Sequence, residues 1–393
     1  KIKMIDKKDQ IKERLGNVLV RSDLNVPILN NKVTDKFRIN KSIEIIDKIY
    51  EDSRTITFIS HLGRPKKKDS NLSLRNITDT ISELLRNENI TFIENIYGPD
   101  VNNLIKSKKS KIFILENLRF DEGEINNDLE FSRKVTKPFD TYIFDAFGAS
   151  HRSHASVVSF GNYIKSYQGP LMNRELEELN KILENKKSGY SVLLGGAKIS
   201  DKLGLIENLL PKVENLLIGG GMCFTFLKAL GYEIGNSLVD YSFIEKARSL
   251  LNSKYANKII LPEDFGVTKS IESKERLNVS IENFSQEHIG VDIGLETIKI
   301  FSKLLSSSKY IFWNGPMGIF EIDEFSTGTR EITKIISQSQ AYTSVGGGDS
   351  VSAINLFSDI KKFNHISTGG GASLEYLEGK KLPGVNIYKS LII

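Results

Sequence analysis

The chain of 393 residues has one cysteine, Cys223, and one tryptophan, Trp313. A lone cysteine excludes an intrachain disulfide framework. It sits in the apolar run "GGGMCFTFL", which marks it as a core residue. No apolar run approaches the roughly 20 residues that cross a bilayer, so no membrane role is expected. The stretch "KIKMIDKKDQIKERLG" is charged throughout and lacks the apolar centre of a secretory signal, so a cytoplasmic protein is expected. The 54 Lys and Arg against 49 Asp and Glu leave a net charge of only +5, without a polybasic arm, so nucleic acid is not an expected partner. Several nucleotide and hydrolase signatures are also missing. There is no G-x-x-x-x-G-K-[ST] phosphate loop. A dinucleotide fingerprint starting at Gly219 fails at Phe224, where a third glycine is required, which argues against a NAD dehydrogenase. No H-E-x-x-H, paired C-x-x-C or G-x-S-x-G occurs, so zinc-hydrolase and serine-esterase chemistry lack support.

Short apolar runs rich in strand formers recur along the chain. The first half holds "NVLVRSDL", "TITFISH", "ITFIENI", "KIFILENL" and "TYIFDAF"; the second holds "SVLLGG", "NLLIGGG", "KIILPED", "YIFWNG", "TSVGGG" and "HISTGGG". Near-continuous apolar runs suit strands buried on both faces. Helical spacings lie between many of them, as at Ile39, Ile43, Ile46 and Ile49, or Ile77, Ile81, Leu84 and Leu85. Alternation of this kind predicts an α/β fold of two doubly wound, Rossmann-like parallel-sheet domains. The expected boundaries are 1–168 for an N-terminal domain completed by 380–393, an interdomain helix at 169–188 built on Leu171, Leu176, Leu179, Ile182 and Leu183, and a C-terminal domain at 189–379.

Ligands of open parallel sheets bind beyond the carboxyl ends of strands, and the polar residues of this chain gather there. Ten of the 14 arginines precede residue 155, which places most of the bidentate anion-binding capacity in the first half. "RSDLNVP", "FRI", "SHLGRP", "ENLRF" and "DAFGASHRSHAS" supply Arg21, Asp23, Asn25, Arg38, His61, Arg64, Arg119, Arg152 and His154. Converging, these suit a small ligand with several negative charges. Arg21 and Asp145 read equally as structural ion pairs, and His154 as structural. In the second half, "LGGAKISDK" spaces Lys198 and Lys202 as i and i+4, a spacing that puts both amines on one helix face. "WNGPMGIFE" ends in Glu321, a carboxylate able to accept from ribose hydroxyls. "SVGGGDSVSAINLF", taken alone, reads as a strand-to-helix turn with Asp349 or Ser350 as N-cap. Beside two lysines, Glu321 and the Gly triplet at 369–371, it reads as a phosphate site at a helix start.

Eight strings in order resemble the phosphoglycerate kinase family over nearly the whole chain: "RSDLNVP", "SHLGRP", "DAFG..HR.HAS", "GGAK.SDK", "GGGM.FTFL", "WNGPMG.FE", "GGGDS" and "STGGGASLEYLEGK.LPG". The resemblance implies reversible transfer of the acyl phosphate of 1,3-bisphosphoglycerate to ADP, giving 3-phosphoglycerate and ATP, in glycolysis and gluconeogenesis. It implies Mg²⁺ carried with the nucleotide, and a monomer. Asp23, Leu24, Asn25, Arg38, His61, Leu62, Gly63, Arg64, Arg119 and Arg152 then bind the phosphoglycerate. Gly195, Gly196, Lys198, Lys202, Gly220, Gly290, Asn314, Glu321, Gly347, Gly348, Asp349 and Ser350 bind the nucleotide, with Asp349 on the metal. Arg38, Lys198, Lys202 and the amides at Gly370, Gly371 and Ala372 serve the transferring group, with Arg38 and Lys202 flanking it. Two positions depart from the usual pattern: Leu295, where proline is common and beside the expected adenosine slot, and Ser150, where alanine is frequent. Another small-acid phosphotransferase and a non-catalytic nucleotide-binding protein are the alternatives; retention of Arg38, Lys202 and Asp349 weighs against the latter.

Overall fold

The computed structural model describes residues 15–86, 88–107, 109–184 and 188–391. The chain divides into two compact units. One takes the described residues to Glu177 together with those from Lys381; the other is Glu178–Lys380. The Pro170–Glu184 helix runs across that division.

The first unit is built on a parallel sheet in the order Lys389–Ser390, Lys165–Gln168, Thr141–Asp145, Gly16–Ser22, Ser53–Ile59, Ile112–Leu115, Ile90–Ile93. Gly16–Ser22 and Thr141–Asp145 are buried along their whole length, as expected of strands covered on both faces. Val18, Val20, Ile56, Phe58, Ile112 and Ile114 form one core layer with Ile39, Ile43, Ile46 and Ile49 of the Phe37–Ile49 helix and Ile77 and Ile81 of the Arg75–Leu84 helix. Gly16–Ser22 pairs with Ser53–Ile59 on one side and Thr141–Asp145 on the other. The chain therefore reverses its winding direction at this strand, and a crevice opens beyond the carboxyl ends of such a switch point. Asp23, Asn25 and His61 follow those ends.

The second unit repeats the plan with a six-stranded parallel sheet: Ile259–Ile260, Asn215–Ile218, Tyr190–Leu194, Tyr310–Asn314, Tyr342–Gly346, His365–Ile366. Its switch point is Tyr190–Leu194, flanked by Asn215–Ile218 and Tyr310–Asn314. The two-sheet, parallel α/β architecture matches the sequence expectation, and all eleven apolar runs named above contain strands.

Other elements were not foreseen. Lys165–Gln168 and Lys389–Ser390 extend the first sheet, a short hairpin joins Ile28–Leu29 to Lys32–Val33, and an antiparallel sheet of Leu277–Ser280, Asp264–Thr268 and Ile289–Ile293 stands beside the second. Among the described residues, the ion pairs expected for Arg21 and Asp145 do not form. Arg21 donates to Ser156 Oγ, Ser60 Oγ and the Ser22 carbonyl. Asp145 accepts from the Met172 amide at 3.0 Å, and burial pushes its carboxyl up to about 7. Both groups are satisfied by neutral hydrogen bonds instead of opposite charge.

Candidate functional site

In the first unit the loops after the central strands are tied to one another by the polar residues themselves. Asn25 Oδ1 accepts from the Gly63 amide at 2.9 Å, and Arg119 Nη1 donates to the Gly63 carbonyl at 2.6 Å. Gly63 has φ +61, a conformation that L side chains rarely adopt, and a Cβ there would lie 2.9 Å from Leu72 Cδ2. Arg38, in the first turn of its helix, lies 3.4 Å from Asp23 Oδ2 and donates to the Asn25 carbonyl at 3.3 Å. Arg64 is exposed and Arg152 half-buried. Leu24 and Leu62 point into the core, so only their backbone is available to a ligand.

His61 is buried, with Nδ1 3.0 Å from Arg21 Nη2. A guanidinium only donates, so Nδ1 is the acceptor and the neutral ring carries its proton on Nε2. Burial first, then Arg21, Arg119, His154 and Arg38, hold the His61 imidazole well below its ordinary range. The same causes act on Arg119, which burial, Arg21 and Arg152 pull down to about 10. Its Nε is buried and, among the described residues, has no partner. An anion placed among these positive groups would relieve the depression of Arg119. His154 stands 3.8 Å from Glu124, and burial with the neighbouring guanidinium charges lowers it to about 4.

The second unit carries a cavity of about 510 Å³ at its switch point, with Gly196, Gly220, Gly290, Glu321 and Asp349 in its lining. Close backbone approach shapes it. A Cβ on Gly195 would lie 2.0 Å from the Pro316 carbonyl oxygen, and one on Gly290 would lie 1.9 Å from Phe224 Cζ. The amides of Gly195, Gly196 and Gly220 are already given to the carbonyls of Asn314, Pro316 and Met317. These glycines therefore make room and leave the donor role to others. Phe224, Phe265, Leu238 and Ile271 form an apolar wall that sequence reasoning missed. Phe224 is the residue that breaks the dinucleotide fingerprint, and that interruption was the available signal.

Lys198 and Lys202 do not share an α-helical face. Lys198 is exposed on extended backbone, a 3₁₀ turn covers Ile199–Asp201, and Lys202 lies at the start of the next helix. The buried Lys202 ammonium donates to the Gly195 carbonyl at 2.5 Å and the Asn314 carbonyl at 2.8 Å. Burial pulls it down to about 7, opposed by Asp349 and Asp201. Neither Asp349 nor Ser350 caps the Gly348–Phe357 helix. Gly347, at φ +92, holds the N-cap position, and no side chain caps the turn. Asp349 is exposed in the first turn, whereas the buried Ser350 Oγ accepts from the Gly315 amide at 2.7 Å. Asn314 Nδ2 is buried and, among the described residues, without a partner, 3.0 Å from where a Gly347 Cβ would lie. At the Gly371–Leu377 helix the Ala372 amide is taken by the Gly369 carbonyl, which removes it from the expected donors. Leu295 is exposed at the start of its own helix and is not among the cavity residues. Ser150 is buried, donating to the Phe147 carbonyl.

Clustered guanidinium and imidazole groups on one doubly wound unit and a glycine-walled cavity on the other suit a phosphotransferase that acts on a small acid. The family model for phosphoglycerate kinase matches residues 9–380. Phosphoglycerate kinases of Dictyoglomus turgidum and Finegoldia magna are each 44% identical, over 375 and 376 residues; the alignments cover 94% of this chain and 94% and 95% of theirs. Among solved structures, phosphoglycerate kinase from Coxiella burnetii superposes with a TM-score of 0.81 at 34% identity, covering 96% of this chain and 97% of that one. The Pyrococcus horikoshii enzyme gives 0.84 at 31%, covering 98% of each. The chain belongs to the phosphoglycerate kinase family. Its activity is that of a glycolytic kinase with a carboxyl group as phosphoryl acceptor, exchanging phosphate between 1,3-bisphosphoglycerate and ADP.

Proposed function

We propose that the two substrates divide between the two units: phosphoglycerate on the unit completed by the C-terminal segment, Mg-nucleotide on Glu178–Lys380. The observation that carries this reading is the contrast between the sites. Crowded guanidinium and imidazole groups, with Arg119 and His61 both lowered by burial and neighbouring positive charge, favour a multiply charged acid, whereas an apolar, glycine-walled cavity favours a base and sugar.

Asp23, Asn25, His61, Arg64, Arg119 and Arg152 orient the acid and its phosphate. His61 offers Nε2–H, because Nδ1 is engaged with Arg21. Arg38 is held by Asp23 and the Asn25 carbonyl, and it lends charge to the transferring phosphoryl group. In the forward direction the bond between the acyl oxygen and phosphorus breaks, a β-phosphate oxygen of ADP bonds to that phosphorus, and the carboxylate of 3-phosphoglycerate departs. An acyl phosphate needs no protein nucleophile, so catalysis consists of alignment and charge stabilisation.

On the nucleotide side, the purine lies against Phe224 and Phe265, and Glu321 accepts from ribose hydroxyls. The first-turn amides from Gly348 and the Asn314 amide donate to phosphate oxygens. Exposed Lys198 supplies the mobile positive charge. Lys202 fixes the Gly195 and Asn314 loops from beneath, and Gly370 and Gly371 contribute backbone donors. Among the described residues no three His, Cys, Asp or Glu side chains converge as a metal cage. The isolated, exposed carboxylate of Asp349 fits Mg²⁺, which keeps several waters and takes one or two carboxylates together with substrate phosphates. When bound, the ion neutralises charge on the nucleotide phosphates.

No described helix is long and apolar enough to cross a membrane; we place the protein in the cytoplasm, as a monomer. The test of the reading is a coupled assay of 3-phosphoglycerate-dependent ATP consumption with Mg²⁺ titrated. Turnover that requires both substrates and Mg²⁺ supports it; turnover indifferent to Mg²⁺ overturns the role of Asp349.

A further inference from the structure

One wall of the nucleotide cavity is the antiparallel sheet, and its middle strand, Asp264–Thr268, contains a glycine. Gly266 faces Asn278 on one neighbour and Asp292 on the other. The space a side chain would fill is taken by Arg276. A Cβ on Gly266 would lie 2.3 Å from Arg276 Nε and 2.7 Å from Nη2. Arg276 leaves the hairpin just before Leu277–Ser280 and crosses the middle strand through this gap. Its Nη2 reaches the Ile293 carbonyl at 3.1 Å and Asp292 Oδ2 at 3.5 Å.

Asp292 is where the cavity walls meet. Its side chain is fully buried. Oδ2 accepts from the Gly328 amide at 2.7 Å, and Oδ1 from the Ile293 amide at 2.9 Å. Gly328 opens the Thr327–Gln338 helix. That helix start is joined to the loop after Trp313, because Thr329 Oγ1 accepts from the Met317 amide at 3.0 Å. The same loop is pinned to the sheet by the Ile319 amide, which donates to the Val291 carbonyl at 2.8 Å. Val291, Asp292, Met317, Ile319 and, from the hairpin loop, Ile271 all line the cavity. Hairpin and helix start thus share one carboxylate, the loop is tied to that helix start and to the strand that bears the carboxylate, and one cation crosses the sheet to it.

We propose that Arg276, seated over Gly266, is a positioning residue for nucleotide binding: it locks Asp292 and thereby holds three walls of the cavity in register. The proposal rests on the reading of this cavity as the nucleotide slot. A buried carboxylate that loses its cation reorganises or is neutralised, and the walls it joins then lose their common anchor. A guanidinium with two contacts is only partly replaced by an ammonium, so Arg276→Lys is a graded variant and not a silent one.

The experiment measures kcat and both KM values for Arg276→Met, Arg276→Lys, Gly266→Ala and the Gly266→Ala/Arg276→Met double variant, with thermal melts to confirm folding. The expected result for Arg276→Met is a rise of about tenfold in KM for ADP, with kcat and KM for 1,3-bisphosphoglycerate changed less than about twofold. Arg276→Lys recovers part of the loss. Gly266→Ala reproduces the rise, because its methyl displaces the guanidinium, and adds little once Arg276 is methionine. If Arg276→Met does not fold, Arg276→Lys and Gly266→Ala carry the comparison. An unchanged KM for ADP in folded variants overturns the proposal, as does full additivity in the double variant. A separate variant, Gly290→Val, fills the slot against Phe224 and reports on the cavity reading. ADP affinity retained in Gly290→Val means that the slot assignment is wrong. Affinity lost there but retained in the Arg276 variants means that only the clamp is wrong.

Discussion

Asn314→Leu separates a binding group from a structural one. Asn314 is 3% exposed. Its carbonyl accepts from Lys202 Nζ and the Gly195 amide, but its side-chain Nδ2 has no partner. A buried donor left unsatisfied costs about 1–3 kcal/mol. Leucine matches asparagine in shape and removes that penalty, while contact with the Gly346 and Gly347 backbone limits the gain. Taking the lower end, about 1 kcal/mol, the ligand-free variant melts about 2–4 °C higher, the sensitivity typical of a unit of roughly 200 residues. Binding moves the other way. A hydrogen bond to a charged phosphate contributes about 1.5–3 kcal/mol, so ADP affinity falls by about 10- to 100-fold. The assay is a melt with and without ADP, together with KM for each substrate. The ADP-induced stabilisation shrinks as affinity drops, while KM for the phosphoglycerate substrate stays put. A variant that melts lower without ligand, yet keeps its KM for ADP, would refute the reasoning by showing that the amide serves the fold.

Three further outcomes are expected. Arg38→Ala lowers kcat by roughly 10²-fold with a smaller change in KM, because its contact strengthens as charge builds on the transferring group; near-normal turnover removes Arg38 from that role. Asp349→Ala raises the Mg²⁺ concentration needed for half-maximal rate and leaves KM for the acid unchanged; an unaltered Mg²⁺ titration rejects the metal assignment. His61 is held well below 6.5 and His154 at about 4, so in acid the unfolded chain binds protons that the folded one refuses, and stability falls as pH drops from about 6.5 toward 4. Asp145 and Asp292, both raised to about 7, lose stability as pH rises across this window, so the readout is the difference between wild type and the His61→Gln/His154→Gln variant in denaturant midpoints at pH 7.5 and 5. The variant loses less on acidification; an equal loss contradicts the sign.

Strands buried on both faces were legible because nothing but β-forming apolar runs suits them, as in Val18–Val20 or Ile112–Leu115. Lys165–Gln168 was not, since an outer strand bearing lysine, serine and glutamine has no apolar period. The antiparallel sheet was hidden by Gly266 and Gly290, whose missing side chains serve a crossing arginine and a cavity. The polar ends of the parallel strands could be read in order along the chain, because the switch-point rule depends on connectivity alone. What failed were an inference from spacing and one from the pairing of buried charge. Lys198 and Lys202 are four apart but separated by a 3₁₀ turn, and burial of Arg21 and Asp145 is met by hydroxyls and amides. The apolar wall of the cavity was hidden except for Phe224, which breaks the dinucleotide fingerprint, because Leu238, Phe265 and Ile271 come from separate segments that only the fold brings to it.

Hydrogen–deuterium exchange of the wild-type protein with each substrate alone tests the division of the two ligands most directly. With ADP and Mg²⁺, amide exchange is expected to slow in peptides spanning 195–202, 220–224, 289–293, 314–321 and 347–350, and to stay unchanged at 21–25, 61–64 and 116–154. With 3-phosphoglycerate alone, the second set slows and the first does not. Protection of the arginine-bearing segments by ADP alone, or of the glycine-walled segments by 3-phosphoglycerate alone, contradicts the account.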